Sequence, residues 1–288
     1  MIVIMGASGA TGGATLRSLT SLGIPVRALS REPGRLLAGL DERTRPLVET
    51  VAADAGDPAS MRIALKGARQ LFLTMANGPR QVEHELRTID LALLSGVEHI
   101  VKVSAPAAEP HSPVAISRGH HLIEERLRTS GTPTTVLRPY AFMQKLLLLA
   151  PGIAAAGLIH GAMGDAPCNY VDCRDIGDFA AYVLTHPEAA GDTYALTGGR
   201  AYSHPELAAM LGIMLGRPVR YIDLPPAELH AHLVARAGMP DWLAAHVAEI
   251  QQLAVQRPEA PDDVATRLTG RPPRTLDAFL REHLDSFR

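Results

Sequence analysis

The chain opens on a short β-branched run, Ile2-Val3-Ile4-Met5, which passes at once into Gly6-Ala7-Ser8-Gly9-Ala10-Thr11-Gly12-Gly13 and then into a helical pattern. Glycines at 6, 9 and 12 each answer a different physical need. Gly6 permits a tight turn, Gly9 lets the backbone approach a pyrophosphate, and Gly12 allows a helix to pack close against a sheet. The helix that follows offers unpaired N–H groups and the positive end of its dipole to an anion. A glycine triplet alone is weak evidence. Its place between a first strand and a first helix makes Gly6, Ser8, Gly9, Ala10, Thr11 and Gly12 a predicted dinucleotide-phosphate loop.

Behind this loop the rhythm continues. Short apolar runs at 2–5, 25–29, 47–52, 70–74, 98–103 and 134–138 alternate with helical patterns at 11–22, 32–39, 58–66, 79–95 and 117–130. Each crossover is long enough to carry a helix back over a sheet, as a doubly wound parallel α/β body requires. Beyond Pro139 the rhythm changes. Residues 141–167 are rich in Gly and Ala and irregular, 175–186 reads as a helix and 193–196 as a strand. Helices are then expected near 204–215, 226–238, 240–254, 261–268 and 275–286, broken by Pro225-Pro226 and Pro272-Pro273. The expected division is a cofactor-binding body of residues 1–140 with 168–197 returning to it, and a smaller, mostly helical substrate lobe of 141–167 and 198–288, a cap rather than a second sheet.

With 288 residues, 47% of them hydrophobic, the chain can fill a substantial core. A formal charge of -2 leaves no basic excess for a phosphate backbone, which argues against nucleic acid as a partner and for a small-molecule substrate. Leu146 to Leu149 is far shorter than the roughly 20 residues a membrane span needs. No basic, apolar leader pattern precedes Gly6, so a cytoplasmic protein without membrane partners is expected. Cys168 and Cys173 are too few for a disulfide framework or a structural zinc site, and no metal is expected.

The second strand ends in Ser30-Arg31, where a carboxylate would be expected to grip a ribose 2′-hydroxyl. A guanidinium suits a phosphate there, pointing to NADPH over NADH; the other reading is a solvated arginine at a strand end. Asp54, just past the third strand, is placed to line an adenine, while Asp57 ahead of Pro58 is placed to cap a helix.

These residues resemble the NmrA-like branch of the atypical short-chain dehydrogenases. The phosphate loop carries the resemblance, with "VRALSR" at the second strand and "SGVEHIVKVSA" at the fifth. It extends through "RTSGTPTTVLRPYAFMQ", "YVDCRDIGDFAAYVL" and "LTGRPPRTLDAFLREH", nearly the whole chain. It implies an extended Rossmann fold with strand order 3-2-1-4-5-6 plus an extra strand. It also implies kinship with NADPH-dependent reductases, tailoring enzymes and dinucleotide-binding redox sensors. Ordinary short-chain dehydrogenases carry Tyr-x-x-x-Lys on the helix after the fifth strand; the matching positions look like His120 and Glu124, an arrangement common in this branch. Where the branch usually has Asn after F-M-x, this chain has Lys145, which puts any role of that Asn in doubt.

The segment "ISRGHHLIEERLR" therefore admits three readings. Metal binding is disfavoured, because adjacent histidines diverge by about 100° on a helix. His120 can be a proton donor or substrate anchor with Glu124 orienting it, or it can pack beside the cofactor while Glu124 bonds a neighbouring element. His121, Glu125 and Arg128 read as a solvated face. Ser104, ending the fifth strand at the carboxyl edge, either donates to a substrate carbonyl or caps the next turn. Thr74, Met75 and Ala76 are expected along the nicotinamide ribose, with Pro139, Tyr140 and Phe142 walling the nicotinamide. Tyr140 is the one residue of that wall with an acidic hydroxyl. His160, Tyr170 and Trp242 are weaker substrate-side candidates, and His230 and His232 read as merely exposed.

The function these readings imply is hydride transfer from NADPH to a conjugated acceptor such as a quinone, enone or imine. The alternatives are a redox sensor without turnover, or a non-redox tailoring enzyme. Substrate identity, and the choice between monomer and homodimer, lie outside what the sequence decides.

Overall fold

The computed structural model describes residues 1–288 as two compact units. The first comprises Met1–Pro110, Ser117–Pro139 and Cys173–Ala195. Its elements are β1 (Ile2–Ile4), α1 (Ala10–Ser21), β2 (Val26–Ser30), α2 (Pro33–Ala38), β3 (Val48–Ala52), α3 (Pro58–Leu65), β4 (Gln70–Leu73), α4 (Gln81–Leu94), β5 (His99–Val103), α5 (Ala115–Arg128) and β6 (Thr134–Pro139). A further helix, Cys173–Thr185, and strand Thr193–Leu196 complete it.

The sheet order is β3-β2-β1-β4-β5-β6 followed by the Thr193–Leu196 strand, the order and the extra strand expected. The strand pairs from β3 to β6 are all parallel. Burial follows from the pleat. Leu71 and Leu73 of β4 and Ile100 of β5 face one side, where they pack with Met61 of α3, Ile89 of α4 and Ile123 of α5. On the other side α1 crosses the Cys173–Thr185 helix so closely that a Cβ on Gly177 would lie 2.6 Å from the Ala14 carbonyl carbon. Ser18 donates to Asp178 at 2.9 Å along the same crossing.

The second unit comprises His111–Ile116, Tyr140–Asp172 and Leu196–Arg288. Helices His204–Leu215, Pro226–Ala237, Asp241–Gln256 and Val264–Thr269 fall close to the expected spans, and the last expected helix divides into Leu276–Glu282 and a 3-10 turn, Leu284–Phe287. The expectation of a cap without sheet is corrected. Ala141–Phe142, Cys168–Val171 and Ala201–Tyr202 form one small sheet, and Leu158–Gly161 pairs with Arg220–Asp223 in another. Residues 141–167, read as irregular, hold a 3-10 turn at Met143–Leu149 and a helix at Ala150–Ala156. Pairing across long sequence gaps stabilises strands too short to show a period of two. No helix is long and apolar enough to cross a membrane.

Candidate active site

The loop between β1 and α1 is shaped by its own backbone. Gly6 adopts φ +76, and a Cβ there would lie 2.5 Å from the carbonyl oxygen of Thr74, just beyond β4. A Cβ on Gly12 would lie 2.2 Å from the carbonyl oxygen of Gly6, so Gly12 is required for α1 to close on the loop itself. Gly9 caps α1 with no side chain, its N–H donating to Gly6 at 2.9 Å, and the first turn carries no carboxylate. The first-turn amides and the positive helix end are thus kept for an anion outside the protein. Ser8, Gly9 and Ala10 are exposed at this end, whereas Thr11 is buried and donates to Cys173 Sγ at 3.7 Å. A cradle that excludes side chains and presents free amides fits a dinucleotide pyrophosphate.

At the end of β2, Ser30 is buried and its Oγ accepts from the Glu32 amide at 3.1 Å, turning the chain so that Arg31 is exposed. Glu32 pairs with Arg35 at 3.5 Å. Asp54 is exposed and accepts from the Gly56 amide at 2.7 Å. Asp57 is the N-cap of α3, accepting from Ala59 and Ser60. Thr74 and Met75 are half-buried and Ala76 exposed beyond β4.

The helix α5 differs from the pairing expected of it. Glu124 does not orient His120. Its carboxylate accepts from Ser104 Oγ at 2.5 Å and from Arg138 of β6 at 3.0 and 2.5 Å. This three-residue clamp ties the ends of β5 and β6 to α5, and a serine hydroxyl has one proton, here given to Glu124. Burial and the Glu124 carboxylate act on Arg138 in opposite directions; the hydrogen bond dominates and raises its pKa. Between Ser104 and α5, Ala107 sits at φ 50, a conformation that costs an L-residue roughly 1–2 kcal/mol. The carbonyls on either side of it are held, Pro106 by Ser117 Oγ at 2.9 Å and Ala108 by Arg138 at 3.4 Å.

His120 is buried at the carboxyl edge and meets Gln81, the first residue of α4, with 3.4 Å between the Gln81 and His120 Nε2 atoms. Gln81 also donates to Glu85 Oε1 at 3.0 Å, and Glu85 pairs with Lys102 of β5 at 2.8 Å, both side chains 0% exposed. A charged lysine inside the "EHIVKV" strand and a glutamine at a helix start were the residues that sequence reading missed. The signal for the first was a lone cation in an otherwise apolar run. His121 is half-buried, while Glu125 and Arg128 pair at 2.7 Å on the outer face.

Pro139 closes β6 and is buried; Tyr140 and Phe142, in the second unit, are half-buried. Burial raises the Tyr140 pKa, and the charges of Glu259 and Asp262 raise it further, making it a weaker acid than a free tyrosine. Elsewhere in that unit Tyr170 is buried in the core, the His160 and His232 rings lie 4.2 Å apart and tilted by 31°, and Trp242 is half-buried. His230 is not merely exposed: it pairs with Asp241 at 3.1 Å. Both cysteines are free and buried.

A parallel sheet in this order, with a glycine-shaped anion cradle where its first strand meets its first helix, defines the Rossmann class of α/β proteins. Within that class the chain belongs to the NmrA-like family, whose model matches residues 1–280. It is 36% identical over 294 residues to the (4-alkanoyl-5-oxo-2,5-dihydrofuran-3-yl)methyl phosphate reductase of Streptomyces griseus, covering 100% of this chain and 99% of that one. It is 32% identical over 293 residues to the NAD(P)H azoreductase of Xenophilus azovorans, again covering 100% and 99%. Among solved structures, the NADPH-dependent quinone oxidoreductase QOR2 of Escherichia coli complexed with NADPH superposes with a TM-score of 0.89 at 28% identity, covering 99% of this chain and 100% of that one.

Proposed function

We propose that this protein is an NAD(P)H-dependent reductase that delivers hydride to an electron-poor, conjugated small molecule. The observation that carries the reading is the α1 cradle, whose Gly6 and Gly12 admit no Cβ and whose first turn lacks any capping side chain. The substrate class is supported by what the relatives are named for: an azo group, a quinone and an unsaturated oxo-dihydrofuran. All three are conjugated acceptors. Relatives named as reductases and matched end to end favour turnover over sensing.

The nicotinamide, when bound, supplies the hydride. The chain's own residues bind, orient and exclude water. The first-turn amides of α1 and its dipole hold the pyrophosphate, and Arg31 offers a guanidinium to a 2′-phosphate, favouring NADPH. Ser8, Ala10 and Thr11 would edge the pyrophosphate, Asp54 would line the adenine, and Thr74, Met75 and Ala76 would flank the nicotinamide ribose. Ser104, Glu124 and Arg138 hold the carboxyl ends of β5 and β6 in register, giving the acceptor a rigid floor. Pro139, at the end of β6, would supply wall. Conjugated acceptors spread the developing charge through their own π system, so the absence of a Tyr-x-x-x-Lys pair is tolerated. His120 is the residue assigned to proton donation, because Ser104 is committed to Glu124 and Tyr140 is a weakened acid.

The test is oxidation of NADPH, followed by nicotinamide absorbance, with 1,4-naphthoquinone, an azo dye and a butenolide as acceptors. Consumption with at least one of them is expected. Tight NADPH binding with no consumption by any would replace the reductase reading with a sensing one.

A further inference from the structure

Four residues from three elements make a buried polar line running from the sheet to the carboxyl edge: Lys102 of β5, Glu85 and Gln81 of α4, and His120 of α5. Its order decides where protons lie. Lys102 Nζ forms an ion pair with Glu85 Oε2 at 2.8 Å and donates to the Val103 carbonyl, leaving Glu85 Oε1 as an acceptor. That oxygen accepts from Gln81 Nε2 at 3.0 Å. The Gln81 amide is therefore held with its nitrogen toward Glu85; the flipped amide would set two acceptors against each other in a site without solvent. An NH2 group has two hydrogens. The second faces His120 Nε2 at 3.4 Å, and Nε2 can receive it only through its lone pair.

We infer that Gln81 is a positioning residue that fixes His120 as the Nδ1–H tautomer. The fixed charge pair beneath it serves to lock the amide, and through the amide the ring. Glu124, one helical turn away on α5, has no part in this, because Arg138 and Ser104 hold it. Any part of His120 in proton transfer rests on the reductase reading above; the tautomer itself does not.

The test is long-range 1H–15N correlation of the histidine side chains in the NADPH complex, with His120→Phe identifying the His120 signals among the 12 histidines. A pyridine-type signal for Nε2 and a pyrrole-type signal for Nδ1 are expected in the unaltered protein, a result that needs no variant to fold. A protonated Nε2 would overturn the inference. In Gln81→Met, which keeps volume but removes the donor, both tautomers should appear, and an unchanged tautomer would remove Gln81 from the role. In naphthoquinone turnover the same variant is expected to lose about tenfold in kcat with the Kd for NADPH unchanged, less than the ~10²-fold or more of deleting an acid outright. Mixed tautomers with undiminished kcat would uphold the assignment of Gln81 and remove His120 from proton donation.

Discussion

Replacing Lys102 by Met tests the foundation of the polar line. Both Lys102 and Glu85 are 0% exposed and 2.8 Å apart. At an effective dielectric constant near 20, two unit charges at that distance attract by about 6 kcal/mol, set against several kcal/mol of lost hydration for each ion. The pair is thus close to neutral as a whole but costly to halve. Lys102→Met leaves the Glu85 carboxylate buried beside an apolar chain, and the expected loss is about 3–5 kcal/mol, a factor of roughly 10² to 10⁴ in the unfolding constant. Adding Glu85→Gln removes the bare charge while keeping an acceptor for Gln81, and the double variant should recover to within about 1–2 kcal/mol of the parent. Trp242, the sole tryptophan, belongs to the second unit. Urea titration by far-UV circular dichroism, with amide exchange followed along β5, reads the first unit directly. A loss under 1 kcal/mol in Lys102→Met, or a double variant no better than the single, would refute the claim that the pair acts as one buried unit.

Three further outcomes follow from other sites. Gly12→Ala forces a Cβ onto the Gly6 carbonyl, 2.2 Å away, and by displacing charge-assisted amide contacts should weaken NADPH binding by about 10- to 100-fold in a fluorescence titration; unaltered affinity would mean the cradle is not the phosphate site. Arg31→Ala should cost NADPH a similar factor and NADH little, whereas equal effects on the two would dismiss the guanidinium as the 2′-phosphate clamp. Burial pushes the Glu259 carboxyl up from 4.5 to about 6, so the native state favours the proton: stability from this group is full below pH 4.5 and is lost as pH rises through 6. Glu259→Gln should therefore gain up to about 2 kcal/mol over the parent at pH 8 and converge with it near pH 4.5; a pH-independent difference between the two proteins would contradict this.

The first unit was largely legible because its signals are local. Six short apolar runs separated by helical patterns specify a parallel sheet, and the glycine spacing marks where that sheet meets an anion. Asp57 before Pro58 declares a helix start by itself. What escaped depends on partners far along the chain. His120 and Glu124 share a helix face by spacing, yet Glu124 is claimed by Arg138 and Ser104, and His120 by Gln81, 39 positions away. Nothing in the local period of α5 announces either. Lys102 was hidden by the opposite effect: one cation does not disturb the apolar reading of a strand, and its counter-charge lies on the preceding helix. The small sheets of the second unit were missed because strands such as Ala141–Phe142 and Ala201–Tyr202 owe their existence wholly to tertiary pairing.

The close crossing of α1 with the Cys173–Thr185 helix at Gly177 bears on how cofactor is captured. With Ala14 pressed against a backbone that has no side chain to yield, and Ser18 tied to Asp178, the cradle helix is held along its length before any ligand arrives. Binding then draws little of its free energy into freezing the loop, and the cost of ordering has been met during folding. Amide exchange in α1 should be slow with or without NADPH. A side chain at position 177, remote in sequence from the cradle, would have to displace α1 and is expected to weaken NADPH binding.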